Sequence, residues 1–410
     1  MEHILVSQIM SHAEQNNILY DLQYGFRSKR SGDVQLLQLY HDLAYGVHRK
    51  HQTDLAIMDF AKAFDTVPHK RLLYKLEWYG INGKVNNWVK AFLSDRVQRV
   101  VVDGFHSDLA AVTSGVPQGS VLGPCLFLFY INDLPDYTNH TTVRLFADDC
   151  ILYRVVKNTS DCMLLQEDLL GLERWEADWL MSFNAGKCSI MSATLKLQRL
   201  DFDYRLHGEI LERCDNSKYL GVTIQSNLQW DDHIGNICKK ASRTLGVIRR
   251  NLQVSSKDLK ERAYLSLVRP QLEYSCTVWD PYKKKNIAEL DSIQRRAARY
   301  VFNRYHQTSH VSEMLEELGW ESLQSRRTKL KMCMAYKGFN DLCSLPLRNY
   351  VNFASVRTRN KAHQFAVIIP YARVDAYKFS FVPNFGTHWN TLPVNAVTAP
   401  SLDSFKAGLE

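Results

Sequence analysis

Carboxylates stand where strands end. Asp59 closes the apolar run Leu55-Ala56-Ile57-Met58, and about ninety residues later Asp148 and Asp149 follow Phe146-Ala147 between two further apolar stretches. An Asp ending a buried strand and an Asp-Asp turn on a hairpin can meet only with a cation between them. At an effective dielectric of roughly 20, two such charges about 4 Å apart repel by about 4 kcal/mol, so a site of three must bind metal or take up protons. Mg²⁺ suits hard carboxylate oxygens and leaves positions open for phosphates.

The elements around these residues follow from hydrophobic period and turn residues. Residues 1–50 read as helices interrupted by Gln23-Tyr24-Gly25-Phe26-Arg27 and the loop Ser28-Lys29-Arg30-Ser31-Gly32. Leu55 to Phe60 has the form of a doubly buried strand, and Pro68 opens a helix carrying Leu72, Leu73 and Leu76. The helical pattern continues through Trp88, Phe92 and Leu93; a hairpin around Gly104 follows, then the turn-rich Ser114–Ser120 loop and an apolar helix from Val121 to about Asp133. Val143–Phe146 and Cys150–Val155 are the strands flanking the Asp-Asp turn. Leu165, Leu169, Leu172, Trp175 and Trp179 form a helical core stripe, Lys218–Ile224 reads as one strand around Gly221, and from Asp231 the pattern is almost wholly helical. The fold class expected is α+β followed by an all-helical part.

With 410 residues, 45% hydrophobic and 23% charged, the chain can bury two or three cores and is not a disordered composition. Its net charge of +8 is regional: Ile237 to Asn340 holds 21 Lys and Arg against 10 Asp and Glu, a net +11, leaving −3 elsewhere. Such a segment suits phosphates or a solvated helical surface. Nine cysteines scattered from Cys125 to Cys343, without a Cys-x-x-Cys pair, point to reduced thiols rather than disulfides or zinc. The first residues lack a secretory signal, and the apolar stretch Cys125–Ile131 is too short to span a bilayer. A soluble protein of the nucleus or cytoplasm, with no membrane partner, is expected.

Taken in order, Asp59-Phe60-Ala61-Lys62-Ala63-Phe64-Asp65, Pro117-Gln118-Gly119-Ser120-Val121-Leu122-Gly123-Pro124 and Phe146-Ala147-Asp148-Asp149 resemble the reverse transcriptase domain of non-LTR (LINE-type) retrotransposons. The likeness extends through Gln23–Arg27 and Lys218-Tyr219-Leu220-Gly221-Val222. The tail, with Trp389-Asn390-Thr391-Leu392-Pro393, Pro400-Ser401-Leu402 and Ser404-Phe405-Lys406, is similar to those of the jockey and CR1 groups.

The resemblance implies a right-hand polymerase: palm with partial fingers over residues 1–230, a basic helical thumb over 231–345 and the element's C-terminal region over 346–410. It implies RNA-directed DNA synthesis from template RNA, a DNA primer and deoxynucleoside triphosphates, with two Mg²⁺ ions, or Mn²⁺ in their place. Asp59 and Asp148 would bridge the metals, Asp149 would complete the charge, and the Phe60 carbonyl would add a ligand. Phe64, five residues after Asp59, stands where a steric gate crowds a ribose 2′-hydroxyl, or is a core phenylalanine. Gln118 and Gly119 match the loop that touches template and incoming base, where glycine permits close backbone approach. Lys187 matches a lysine that protonates pyrophosphate, or is a solvated turn residue. Leu220 and Gly221 match the primer grip, or a structural turn. Lys62 and Asp65 are left as a local cap or salt bridge.

Two departures accompany the likeness. The chain is expected to begin after the basic fingers segment that grasps the triphosphate, for which Arg27 is no evident replacement. It is also expected to lack an upstream endonuclease domain and a Cys/His knuckle, so DNA nicking is expected from another polypeptide or a missing upstream region. A degenerate or domesticated protein that binds RNA or hybrid without polymerising is the alternative. A two-metal nuclease ranks last, having no use for Gln118 or Phe64.

Overall fold

A computed structural model describes residues 1–306, 310–354 and 363–409; residues 307–309, within the expected thumb, and 355–362 and 410, within the expected C-terminal region, lie outside the described residues. The fold is mixed α+β. Two compact units interleave along the chain: Met1–Gly32 with His51–Asp215, and Asp33–Lys50 with Asn216–Glu410. Helix α1 (Glu2–Gln15) belongs to the first, α2 (Gly32–His48) almost wholly to the second.

The first unit is built on β1 (Gln52–Met58), β2 (Thr142–Phe146), β3 (Asp149–Val156), β4 (Ser189–Ala193) and β5 (Glu212–Arg213), in the spatial order β5-β4-β1-β3-β2. Only β5 runs parallel to its neighbour. The central place falls to β1 because Leu55, Ala56 and Met58 are buried and apolar, as a strand covered on both faces requires. Its buried Asp54 is satisfied internally, by Gln52 Nε2 at 2.8 Å and Tyr204 Oη at 2.8 Å.

Helices α3 (His69–Trp78), α4 (Gly83–Leu93), α5 (Leu122–Ile131) and α6 (Thr159–Trp179) complete the unit. The sequence predicts continuous helical character across α3 and α4; a break intervenes at Gly80, whose φ of 81° no helix accepts. In α5, Cys125 through Ile131 are all buried, which matches a helix with no polar stripe. Asn158 Oδ1 caps α6 by accepting the Asp161 N–H at 3.0 Å, and Leu165, Leu169, Leu172 and Trp175 then face the core as predicted. Trp179 is only half-buried. The expected hairpin around Gly104 forms as two short ladders, Val97–Gln98 with Ala110–Ala111 and Val101–Val102 with Phe105–His106.

In the second unit the expected single strand over Lys218–Ile224 is instead a hairpin, β6 (Asn216–Tyr219) and β7 (Val222–Gln225). Leu220 and Gly221, at φ 45° and 83°, turn the chain between them, the two positive values that tight hairpins favour. Helices α7 (Asp231–Asn251), α8 (Lys284–Phe302), α9 (Leu323–Phe339) and α10 (Phe381–Trp389) follow. On α7 the stripe Ile234, Cys238, Ala241, Leu245 and Ile248 is buried while Lys239, Lys240, Arg243, Arg249 and Arg250 are exposed. Helix α2 packs into this unit, with Tyr40 Oη donating to Leu228 O at 2.9 Å and Gln35 bonded to the Tyr219 hydroxyl. All nine cysteines are unpaired, and among the described residues no helix is long and apolar enough to cross a membrane.

Candidate active site

Strands β2 and β3 meet in the tightest turn available. Phe146 pairs with Asp149, which leaves Ala147 and Asp148 to reverse the chain. Ala147 sits at φ 53°, a left-handed conformation that disfavours a residue with a Cβ. Gln23 holds it there: its buried Oε1 accepts the N–H of Ala147 at 2.9 Å and of Gly25 at 2.8 Å. On either side Tyr24 N–H donates to Leu145 O at 2.8 Å and Leu145 N–H to Leu22 O at 3.0 Å. A Cβ on Gly25 would stand 2.4 Å from Ala147 N, so only glycine lets this segment lie against the turn. Sequence alone gives Gln23 no role, because its partner Ala147 lies 124 positions away. Arg27 is committed elsewhere, its guanidinium gripping both Glu14 oxygens at 2.9 and 2.8 Å and Tyr20 O at 2.7 Å.

Asp59 follows directly on β1, beside this turn in electrostatic terms. Burial raises the Asp148 carboxyl above the usual carboxylate range, its own backbone N–H draws it down, and the Asp59 charge raises it again. Asp149 is pushed up to about 6 by burial, then by Asp148 and Asp59, although its outer edge keeps solvent access. The backbone of Asp59 is fixed from the far side: its N–H meets Cys188 Sγ at 3.4 Å, and its carbonyl accepts the Asn184 N–H at 2.7 Å. Lys187, in the turn that follows Asn184, places Nζ 3.4 Å from Asp59 Oδ2. That oxygen is sequestered and accepts no hydrogen bond, so the contact is an ion pair without hydrogen-bond geometry. The Phe60 side chain stacks on Phe183 at 4.1 Å and is buried, leaving its main chain at the site.

Phe64 is half-buried, with one face stacked on Phe127 of α5 at 4.4 Å. Its neighbour Asp65 proves to be an anchor. Asp65 Oδ1 accepts Gln118 Nε2 at 2.8 Å and Asp65 O accepts Ser114 Oγ at 2.9 Å, while Val116 N–H donates to Phe64 O at 2.8 Å. Gly115, at φ 87°, packs so closely that a Cβ would lie 2.7 Å from Asp65 O. Gly119 has open space around it and is required by its φ of 81° instead. Below the loop, Glu2 Oε2 accepts the N–H groups of Val121 and Leu122 at 2.8 and 3.0 Å, occupying the N-terminus of α5. A polar cavity of about 650 Å³ opens beside Gln118, with Lys62, Asp65 and Arg96 in its wall.

Asp59, Asp148, Asp149 and Lys187 are thus brought together, and the Asp59–Asp65 segment ties them to the Gln118 loop. Leu220 and Gly221 belong to the second unit, where Tyr274 Oη donates to Leu220 O at 2.9 Å and its ring would meet a Cβ on Gly221 at 3.0 Å. Among the described residues no three His, Cys, Asp or Glu side chains are already closed into a metal cage. The donor set nevertheless fits a hard divalent ion: a buried oxygen on Asp59 that accepts no hydrogen bond, and two further carboxylates whose ionisation is opposed by burial and then by like charge.

The reverse transcriptase (RNA-dependent DNA polymerase) family matches residues 1–224, more than half of the chain and all of the carboxylate site. The chain belongs to the reverse transcriptase family. Among curated proteins this reverse transcriptase is similar to the RNA-directed DNA polymerase from mobile element jockey of Drosophila melanogaster, 28% identical over 314 residues, which cover 73% of this chain and 34% of that one. It is also similar to the probable RNA-directed DNA polymerases from transposon BS and transposon X-element of the same organism, at 27% and 26% over 318 residues. These are non-LTR relatives, and the chain spans about a third of their length. Among solved structures, a telomerase from Candida albicans aligns with 85% of this chain and 55% of its own at 12% identity, with a TM-score of 0.45.

Proposed function

We propose that this reverse transcriptase is an RNA-directed DNA polymerase acting by two-metal nucleotidyl transfer on template RNA, a DNA primer and deoxynucleoside triphosphates. The observation that carries the reading is geometric: Asp59 follows directly on β1, and Asp148 and Asp149 stand in the tight β2–β3 turn beside it, where burial first and neighbouring like charge second raise both of their carboxyls. Carboxylates held against their own repulsion are preorganised for divalent cations. Asp59, Asp148, Asp149 and the Phe60 carbonyl would hold Mg²⁺ or Mn²⁺, which when bound supplies a lowered pKa to the primer 3′-hydroxyl and charge neutralisation to the triphosphate.

The chain's own groups do the rest. Lys187 holds a proton beside Asp59 and gives it to the leaving pyrophosphate. Phe64, braced on Phe127, presents an edge against the ribose 2′ position. Gln118, with one amide hydrogen taken by Asp65, offers its remaining donor and its oxygen to template and incoming base. In this reading the five-stranded sheet is the palm, with partial fingers, of residues 1–230; the exposed cations of α7 belong to a thumb over 231–345 and residues 346–410 form the C-terminal region. Leu220 and Gly221 act as the primer grip.

Asp148→Asn is expected to abolish primer extension on a poly-rA template while hybrid affinity stays within about threefold, because only metal geometry is lost. Equal extension by variant and parent would refute the assignment. Phe64→Ala is expected to raise ribonucleotide over deoxyribonucleotide incorporation; an unchanged ratio in an active variant returns Phe64 to the core. The Lys187–Asp59 pair also favours a second reading, a hybrid-binding protein that does not polymerise. Salt-sensitive hybrid binding by the parent chain with no extension at any Mg²⁺ or Mn²⁺ concentration would select it.

A further inference from the structure

Helix α2 sets His41, Tyr45 and His48 along one stripe, four and then three residues apart. Within the second unit three tyrosines from late in the chain meet that stripe. Tyr350 tilts over His41 at 4.3 Å, Tyr377 lies over His48 at 4.7 Å and edge-on to Tyr45 at 5.7 Å, and Tyr371 stands edge-on to His48 at 6.4 Å. The inner end of this ladder is core, with Tyr377 buried; at the outer end Tyr371 is 80% exposed and Tyr45 46% exposed. Tyr45, braced by His41, His48 and Tyr377 yet open to water, is a stacking surface that loses little entropy when covered, and Tyr371 adds a second, more exposed ring against His48.

The same outer end is cationic. Arg49 and Arg373 are both exposed and make no ion pair among the described residues, and Lys50 and Lys378 lie on the same two segments. Their acidic neighbours on those segments are Asp42 and Asp375. His48 Nδ1 accepts the Arg373 backbone N–H at 3.2 Å, so its ring hydrogen sits on Nε2, facing away from that bond. Burial lowers the proton affinity of this imidazole and the Arg373 and Arg49 charges lower it further, which keeps it a neutral donor at physiological pH.

Exposed rings, two guanidinium groups without an ion pair among the described residues and an oriented imidazole donor match unpaired nucleotides, whose bases offer a free face and whose phosphates lie within reach. A duplex hides its base faces, and an acidic peptide would use the arginines while leaving Tyr371 idle. We propose that Tyr45, His48, Arg49, Tyr371 and Arg373 form a binding site for single-stranded nucleic acid, separate from the carboxylate site and independent of whether the chain polymerises.

The test uses the whole chain and fluorescent oligouridylate or oligodeoxythymidylate of about twenty nucleotides, with unlabelled RNA–DNA hybrid in excess to occupy the basic helices. Tyr371→Ala should weaken single-strand binding about tenfold, and Tyr371→Phe, which keeps the ring, should not. The double variant R49A/R373A should lower the log–log salt slope by about 1.4, as loss of two phosphate contacts demands. Hybrid affinity should stay within about twofold throughout, and unchanged melting temperatures are expected because Tyr371 is largely exposed. A tenfold loss with uridylate alone assigns the site to RNA, with thymidylate alone to DNA, and either supports it. Unchanged single-strand affinity in Tyr371→Ala, equal loss on hybrid, or complete displacement of the labelled strand by hybrid would overturn it. So would an acidic peptide whose binding falls in R49A/R373A while single-strand binding does not change.

Discussion

Gln23 illustrates how a residue distant in sequence can shape the carboxylate turn. Its single oxygen satisfies two buried N–H groups and in doing so fixes Ala147 in a conformation that nothing local would choose. Gln23→Ala leaves both donors unsatisfied, a cost of about 1–3 kcal/mol for each. A lower melting temperature and near-background primer extension are therefore expected, with hybrid affinity retained. Full extension by that variant would show that the turn holds itself. The partnership was not legible in the sequence, because residues 23 and 147 meet only through tertiary structure. The same holds for Asp65 and Gln118, which are 53 positions apart. The carboxylates themselves were legible, since an Asp at the end of a doubly buried strand carries its own signature.

Among the elements, α7 and the β6–β7 hairpin are coupled by His233. Its ring is buried edge-on to Trp279 at 5.1 Å, and Nδ1 accepts the Thr223 N–H at 3.2 Å. Burial pushes its pKa down to about 4, so the folded protein keeps it neutral while an unfolded chain protonates near 6.5. The unfolded state then binds more protons between those values, and stability must fall as pH drops from 6.5 to 4, by about 3 kcal/mol from this group. His233→Asn keeps an acceptor for Thr223 but cannot titrate. Its melting temperature is expected to depend less on pH across that window, and an identical dependence would exonerate His233. The helical character of α7 was readable from its pattern, and the stripe that the structure buries runs through Ile234, Cys238, Ala241, Leu245 and Ile248. The β6–β7 turn was readable only as the structural-turn alternative at Leu220 and Gly221, because Gly221 marks a turn while Leu220 at positive φ bears no mark in its residue type.

Across the whole molecule, the interleaving of the two units is the property with the widest reach. Helix α2 is encoded inside the first unit yet packs in the second, where Leu36, Leu39 and Leu43 are fully buried. Residues 216–410 made alone should therefore lack a cooperative melting transition, and a peptide of residues 33–50 added in trans should restore one. A cooperative fold without the peptide would show α2 to be dispensable. During synthesis the ordering is unforgiving. About 170 residues must be added after α2 before Asn216 is made, roughly ten to thirty seconds at ribosomal speed, and for that time its leucines have no native cover. A nascent chain stopped late in that interval carries an orphan apolar helix together with a nearly finished sheet, so a truncated product is expected to engage chaperones or aggregate rather than persist as a stable half.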